Sequence, residues 1–322
     1  MSIKVMTTTE ALAAVEAKKY PNQTTYLAMY SSWFGGIVKK PGVMLVPIDD
    51  HIVHRGDGVF EAFKIIDGMI FLLDAHLDRL ENSAGLIGIP MPFARKEMVN
   101  IFKETIKSAG VTNALLRLYI SRGPGGFTTN PYESVGSQMY FVVTELKNLA
   151  AEKFEKGVSI GKSAVAPKDP WFARIKSCNY LPNVLMKKES VDRKLDFTVS
   201  FDDKGVLTES STENIAILNK QNELIRPTLN QILKGTTMMR TFELAQSLVA
   251  SKSIAGIKEG NISEQDIIQA KEVFMIGTTL DVLPVTSYEG KAIGGGAVGP
   301  VAKELLKLLR EDIKKGPMSV PL

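Results

Sequence analysis

Cysteine is almost missing from the 322-residue sequence, in which Cys178 stands alone. One thiol excludes an intrachain disulfide and any cysteine-built zinc cluster, and it fits a reducing compartment, so a cytoplasmic location is expected. Histidine is scarce as well: His51, His54 and His76 are too few for a histidine-rich metal site. No apolar run approaches the roughly 20 residues that cross a bilayer, and no membrane span is expected. Charge of one sign is not in excess either. The 39 Lys and Arg against 35 Asp and Glu leave a formal +4 spread along the chain, with no aromatic-plus-basic stripe to suggest a nucleic-acid partner. Near the N-terminus, Glu10 and Glu16 stand where a secretory signal needs an uncharged core. Thr7 and Glu10 instead have the spacing of a capping box opening a surface helix.

What is present is the composition of a folded globular protein, 44% hydrophobic and 23% charged, long enough for one large domain or two moderate ones. The first half mixes strands and helices. Tyr26 to Lys40 has strand character with a Gly-Gly break, and Val59 to Leu73 reads as a hairpin around Asp67-Gly68. Asp74 is expected to cap one helix, and a second runs from Ala94 to Ala109 with Met98, Ile101, Phe102 and Ile106 apolar. In the strand NALLRLYISRG, alternation puts Leu115, Arg117 and Tyr119 on one face and Leu116, Leu118 and Ile120 on the other. A turn-rich loop follows, then the strand SQMYFVVTEL. The charged stretch KNLAAEKFEKG predicts a linker near residues 145–155, dividing the chain into residues 1–152 and 153–322. In the second half a helix is expected after Pro182. FTVSF, VLTES and ENIAIL read as successive antiparallel strands, and helices are expected at Thr236 to Ala250 and Pro300 to Lys315.

Two Gly-Thr-Thr segments stand out, Gly235-Thr236-Thr237 opening a helix and Gly277-Thr278-Thr279 leaving a strand. Glycine lets a backbone approach an anion, and the following amides and hydroxyls donate to it, so together the segments suit a phosphate. Neither has the spacing of a dinucleotide fingerprint or a P-loop. Lys176 sits in the mixed stretch ARIKSCNYLPN, where partial burial would lower an amine toward nucleophilic use. Glu209, in LTESSTEN, belongs to a half-buried strand and there calls for a cationic or protonated partner. An amine, a carboxylate and two phosphate cups suit a phosphate-bearing cofactor. They also suit a non-catalytic phosphate-ligand binding protein in which Lys176 is a counter-ion.

The ordered segments HRGDGVFE, DAHLDRL, RIKSCNYLPNVL, LTESSTEN, ILKGTT and FMIGTTLDVLPV resemble the fold-type IV pyridoxal-phosphate enzymes, from about Tyr26 onward. This family includes D-amino-acid transaminases, branched-chain aminotransferases and aminodeoxychorismate lyases, and YLAMYSS with DDHIVHRGDGVFE is most similar to plant-type members. The resemblance implies a two-domain α/β (α+β) fold, with pyridoxal 5′-phosphate at the domain interface and a homodimer completing each site. It implies that Lys176 bonds to the cofactor aldehyde and serves as acid and base at the substrate Cα. It further implies that Glu209 pairs with the ring nitrogen, that Tyr180 donates to the ring 3-oxygen, and that Arg79, Thr236, Thr237 and Thr278 bind the phosphate. For the substrate it points to Arg117 as the carboxylate group, with Arg55, Phe60 and the Thr279 and Leu280 amides nearby.

The pattern departs from the family on the substrate side. An Arg-x-His clamp found in bacterial D-amino-acid transaminases is replaced by Phe127 and Thr129. The tyrosine that branched-chain enzymes carry two residues before the strand arginine is Leu115. Glu61 resembles the transaminases and SRGPGG the lyases. Amino transfer from an α-amino acid to a 2-oxo acid, with D-amino acids favoured, is therefore expected, ahead of aminodeoxychorismate cleavage and branched-chain L-amino-acid transfer.

Overall fold

A computed structural model describes residues 3–321. The chain forms two compact units. The first holds the chain up to Ile70, Leu80–Leu146 and the end from Pro321, and the second holds Phe71–Arg79 and Lys147–Val320.

The first unit contains strands β1 (Tyr26–Ser31), β2 (Gly36–Val38), β3 (Gly58–Ile66), β4 (Met69–Phe71), β5 (Ala114–Ser121) and β6 (Gln138–Thr144). They run in the order β4-β3-β5-β6-β1-β2 with antiparallel neighbours. Asp67 and Gly68 both take positive φ, 52° and 77°, as a two-residue hairpin turn between β3 and β4 demands. The alternation read in β5 is the alternation observed: Leu116, Leu118 and Ile120 are fully buried, while Arg117 and Tyr119 occupy the more open face. The helix Arg95–Ala109 buries Met98, Phe102 and Ile106, and the Phe102 ring stacks on Phe141 at 4.4 Å. The N-terminal helix, Thr8–Ala17, carries the expected Thr7/Glu10 capping box.

The second unit contains β7 (Val158–Lys162), β8 (Phe197–Phe201), β9 (Leu207–Ser210), β10 (Asn214–Leu218), β11 (Glu223–Arg226), β12 (Gly256–Glu259), β13 (Glu272–Gly277), β14 (Asp281–Tyr288) and β15 (Lys291–Ala292). The sheet order is β12-β11-β10-β13-β14-β7-β8-β9, with β15 on β14. Its core includes Ile160, Val199, Leu207, Ile215, Val273, Met275 and Leu283. The expected run of three successive antiparallel strands is only partly right. β8 and β9 pair, but β10 crosses away to lie between β11 and β13. All five β10 residues are buried, the environment of a central strand.

Three further differences concern boundaries. The helix expected at Thr236 to Ala250 is two helices, Thr236–Leu244 and Gln246–Ala250, broken at Ala245. The helix near Asp74 starts at Leu73, which places Asp74 inside the first turn. The units divide between Leu146 and Lys147, and the charged stretch beyond is not all linker. Ala151–Lys156 is helical and Phe154 packs on the core of the second unit. The helix Pro300–Lys315 forms as read, with Leu305 and Leu309 buried. The Glu272 carboxylate of β13 accepts from the amides of Val301 and Ala302 at its first turn, at 3.0 and 2.8 Å.

Candidate active site

Lys176 lies between the short helix Pro170–Ala173 and the helix Leu181–Asp192. Buried Ala173 and Ile175 anchor this segment, while Lys176 itself is half-buried. It lines a pocket together with Lys168, Tyr180, Asn183, Glu209 of β9, the turn Ser211–Glu213, Asn214 and Leu233. Asn183 holds the lysine segment to that turn by donating its side-chain amide to the Ser211 carbonyl.

Glu209 is enclosed by protein and keeps partial exposure toward the pocket it lines. Burial pushes its carboxyl up to about 7. Lys168, a hydrogen bond from the Leu233 amide at 3.3 Å and Lys176 all oppose that rise, and Glu213 adds to it. Lys168 was not foreseen. Its ammonium lies 4.7 Å over the Tyr180 ring, burial lowers its pKa, and the charge of Glu209 partly restores it. No local spacing signals this lysine, since it enters the pocket from a loop eight residues before Lys176.

Thr236 and Thr237 form the first turn of a nine-residue helix whose N-cap, Gly235, brings no side-chain hydrogen bond. A helix start left without a capping side chain is a natural anion site. Arg79 donates to the carbonyl of Lys234 at 3.0 Å. His76, one turn earlier on the same helix as Arg79, lies 3.2 Å from Thr236 Oγ1. Thr278 follows β13 directly, in the turn leading to β14.

Asn214 ties the two Gly-Thr-Thr segments to one end of the sheet. It pairs with Ile276 of β13, next to Gly277, and its side-chain amide donates to the Leu233 carbonyl at 3.0 Å. A Cβ on Gly235 would come within 1.8 Å of Asn214 Oδ1, so only glycine permits this approach. Neither Asn214 nor His76 was singled out by sequence. Their positions in LTESSTEN and HLDRL were the available signal, but their roles depend on partners far along the chain.

The expected substrate residues fall in both units. In the first, Arg117 donates to Thr144 Oγ1 at 3.0 Å, Phe60 stacks on Tyr119 at 6.0 Å, and exposed Arg55 donates to the Phe127 carbonyl at 2.8 Å. In the second, Thr279 is exposed. Leu280 packs into the core, and its amide donates to the Gly277 carbonyl at 3.3 Å. Among the described residues no His, Cys, Asp and Glu cluster is arranged for a metal, and no helix is long and apolar enough to cross a membrane.

Residues 58–288 match the family model described as amino-transferase class IV, a span of more than half the chain. The chain belongs to the class IV aminotransferases. Among curated relatives of this class IV aminotransferase, the chloroplastic D-amino-acid transaminase of Arabidopsis thaliana is 38% identical, covering 92% of this chain and 79% of that protein. D-alanine aminotransferase of Bacillus licheniformis is 30% identical over 87% of this chain and 96% of its own. Among solved structures, a branched-chain amino acid aminotransferase of Escherichia coli superposes with a TM-score of 0.81 at 25% identity, covering 88% of this chain and 93% of that one.

Enzymes of this class use pyridoxal 5′-phosphate, and the residues present fit it. The uncapped helix start beside Arg79 suits the phosphate, and the enclosed Glu209 carboxyl needs a cation to stay ionised. The half-buried amine of Lys176 shares the pocket with Glu209.

Proposed function

We propose that this aminotransferase moves amino groups reversibly between α-amino acids and 2-oxo acids, with D-amino acids as preferred donors. The observation that carries this reading is the meeting of Lys176 and Glu209 in one pocket, next to Leu233 and the loop leading to the uncapped helix start at Thr236. The donor preference is supported by the relatives named D-amino-acid transaminase and D-alanine aminotransferase.

When bound, the cofactor would supply an electron-poor ring able to accept the electrons released as the substrate Cα loses its proton. Lys176, which lines the pocket with Glu209, would hold the cofactor at its aldehyde end and would carry the proton taken from the substrate Cα as general base. Glu209 would accept a hydrogen bond from the cofactor ring nitrogen, and a protonated nitrogen there would stabilise its buried charge. Tyr180, whose ring lies 4.7 Å under the Lys168 ammonium, would donate its hydroxyl to the cofactor 3-oxygen. Arg79 with Thr236, Thr237 and Thr278 binds the phosphate. Arg117 is the proposed carboxylate-binding group of the first unit, with Arg55 and Phe60 as its recognition residues, and Thr279 and Leu280 are the recognition residues proposed for the second.

Aminodeoxychorismate lyase is a second reading, favoured by the loop sequence SRGPGG, residues 121–126. Branched-chain transfer is a third, supported by Arg117. We assign the chain to a homodimer, supported by exposed Leu181, Val184 and Leu185 on one helix, and to the cytoplasm, supported by its lone thiol.

The test mixes cofactor-loaded enzyme with D- and L-amino acids and with aminodeoxychorismate, following the visible cofactor band. A rapid change with D-amino acids and none with aminodeoxychorismate is expected. Pyruvate release from aminodeoxychorismate would establish the lyase reading, and a protein that takes up no cofactor would end all three. Light scattering of the purified enzyme reads the dimer directly.

A further inference from the structure

His76 is a buried imidazole beside the phosphate cradle, 1% exposed, and the reaction as described gives it no task. Its Nε2 lies 3.2 Å from Thr236 Oγ1, and its Nδ1 lies 3.5 Å from a terminal nitrogen of the Arg79 guanidinium. A guanidinium offers only hydrogens. The Nε2–H tautomer is the one in which Nδ1 faces the guanidinium with its lone pair and Nε2 faces Thr236 with its proton. In that tautomer Nε2 donates to Thr236 Oγ1. A threonine hydroxyl that accepts on one side has its own hydrogen directed elsewhere, and Thr236 stands at the first turn of an N-terminus without a side-chain cap.

We propose that His76 is a positioning residue for the phosphate cradle. As the Nε2–H tautomer it fixes Thr236 as an acceptor on the protein side, so that the Thr236 hydroxyl hydrogen serves the phosphate, and its Nδ1 steadies Arg79. The same ring thereby orients both the neutral and the charged donor. Arg79 is also held by the Lys234 carbonyl, one residue before Gly235, so His76 closes a ring of contacts through the helix Leu73–Leu86 and the start of Thr236–Leu244. This proposal rests on the cofactor reading given above.

The test is a ratio of affinities. Full-length protein freed of cofactor is titrated with pyridoxal phosphate and with pyridoxal, which keeps the aldehyde and ring but lacks the phosphate. Lys176 and Glu209 act on both, so their contributions cancel in the ratio. In His76→Phe the preference for the phosphate form should fall about 10- to 100-fold, with pyridoxal affinity little changed. In His76→Gln, whose side-chain amide can still donate to Thr236, most of the preference should return. The phosphorus resonance of bound cofactor should shift in the Phe variant and move back in the Gln variant.

An unchanged ratio in His76→Phe, or an equal loss for both compounds, would overturn the proposal. If the Phe variant does not fold, His76→Ala reads the same ratio, and an unaltered preference there is equally decisive. A wild-type protein that does not prefer the phosphate form would instead contradict the cofactor reading itself, so the two failures are distinguishable.

Discussion

Asn214 and Leu233 are joined by a 3.0 Å hydrogen bond from the asparagine side chain to the leucine carbonyl. The amide of the same Leu233 donates to Glu209 Oε2. One peptide segment is thus tied to the first residue of β10 and to the carboxylate of β9, two strands that are not neighbours in the sheet order. The enclosed carboxylate and the helix start proposed to hold the phosphate are linked through this short segment. It also leaves little room for a side chain at the neighbouring Gly235.

Gly235→Ala should show this. The Gly235 φ of −65° suits any residue, so the cost is one of space, a methyl pressed into Asn214 Oδ1. A loss of about 1–3 kcal/mol of stability is expected, accompanied by weaker cofactor binding. Thermal denaturation and cofactor titration of the variant measure both, and a variant indistinguishable from wild type would mean the loop yields freely.

Glu209 gives the cofactor-free protein a pH signature. Its pKa is raised from 4.5 in the unfolded chain to about 7 in the folded one, because burial penalises the charge. Between these values the folded state binds more protons than the unfolded state, so stability falls as pH rises from about 4.5 to about 7. The change amounts to roughly 3 kcal/mol. Glu209→Gln should remove this slope and be more stable than wild type above pH 7, while losing roughly 100-fold or more in kcat when loaded with cofactor. Parallel melting profiles of the two cofactor-free proteins would refute it.

Lys176→Ala should abolish multiple turnover, by at least ~1,000-fold, while cofactor still binds without a covalent link. Borohydride treatment followed by mass spectrometry is the measurement. The label should sit on Lys176 in the wild type and be absent from the variant. Wild-type label found on Lys168, the other pocket amine, would reassign the nucleophile.

Arg117→Ala should raise KM about 10-fold for amino-acid and 2-oxo-acid substrates alike, since all carry the carboxylate, with a smaller change in kcat. Arg117 also donates to Thr144, so melting temperature is measured beside the kinetics. A large stability loss with KM unchanged in the folded variant would make Arg117 structural.

The sequence was most legible where a rule acts over a few residues. The Thr7/Glu10 box, the Asp67-Gly68 turn, the two faces of β5 and the Gly-Thr-Thr helix start at Gly235 each follow from backbone angles or periodicity within one segment. The residues bearing the family resemblance are of this local kind, and Lys176 and Glu209 could be named from their motifs.

Tertiary structure decided what local rules leave open. That β10 leaves β9 for a place between β11 and β13, and that Phe71–Arg79 joins the second unit, depends on long-range burial, to which sequence spacing is blind. The pocket position of Lys168 and the contacts of His76 and Asn214 have the same origin. His76 meets Thr236 across 160 residues of chain. The sequence by itself determined which chemical groups this protein carries and the local backbone forms that present them. Only the folded chain decided their neighbours, because burial and hydrogen-bond satisfaction are settled between distant segments packing together.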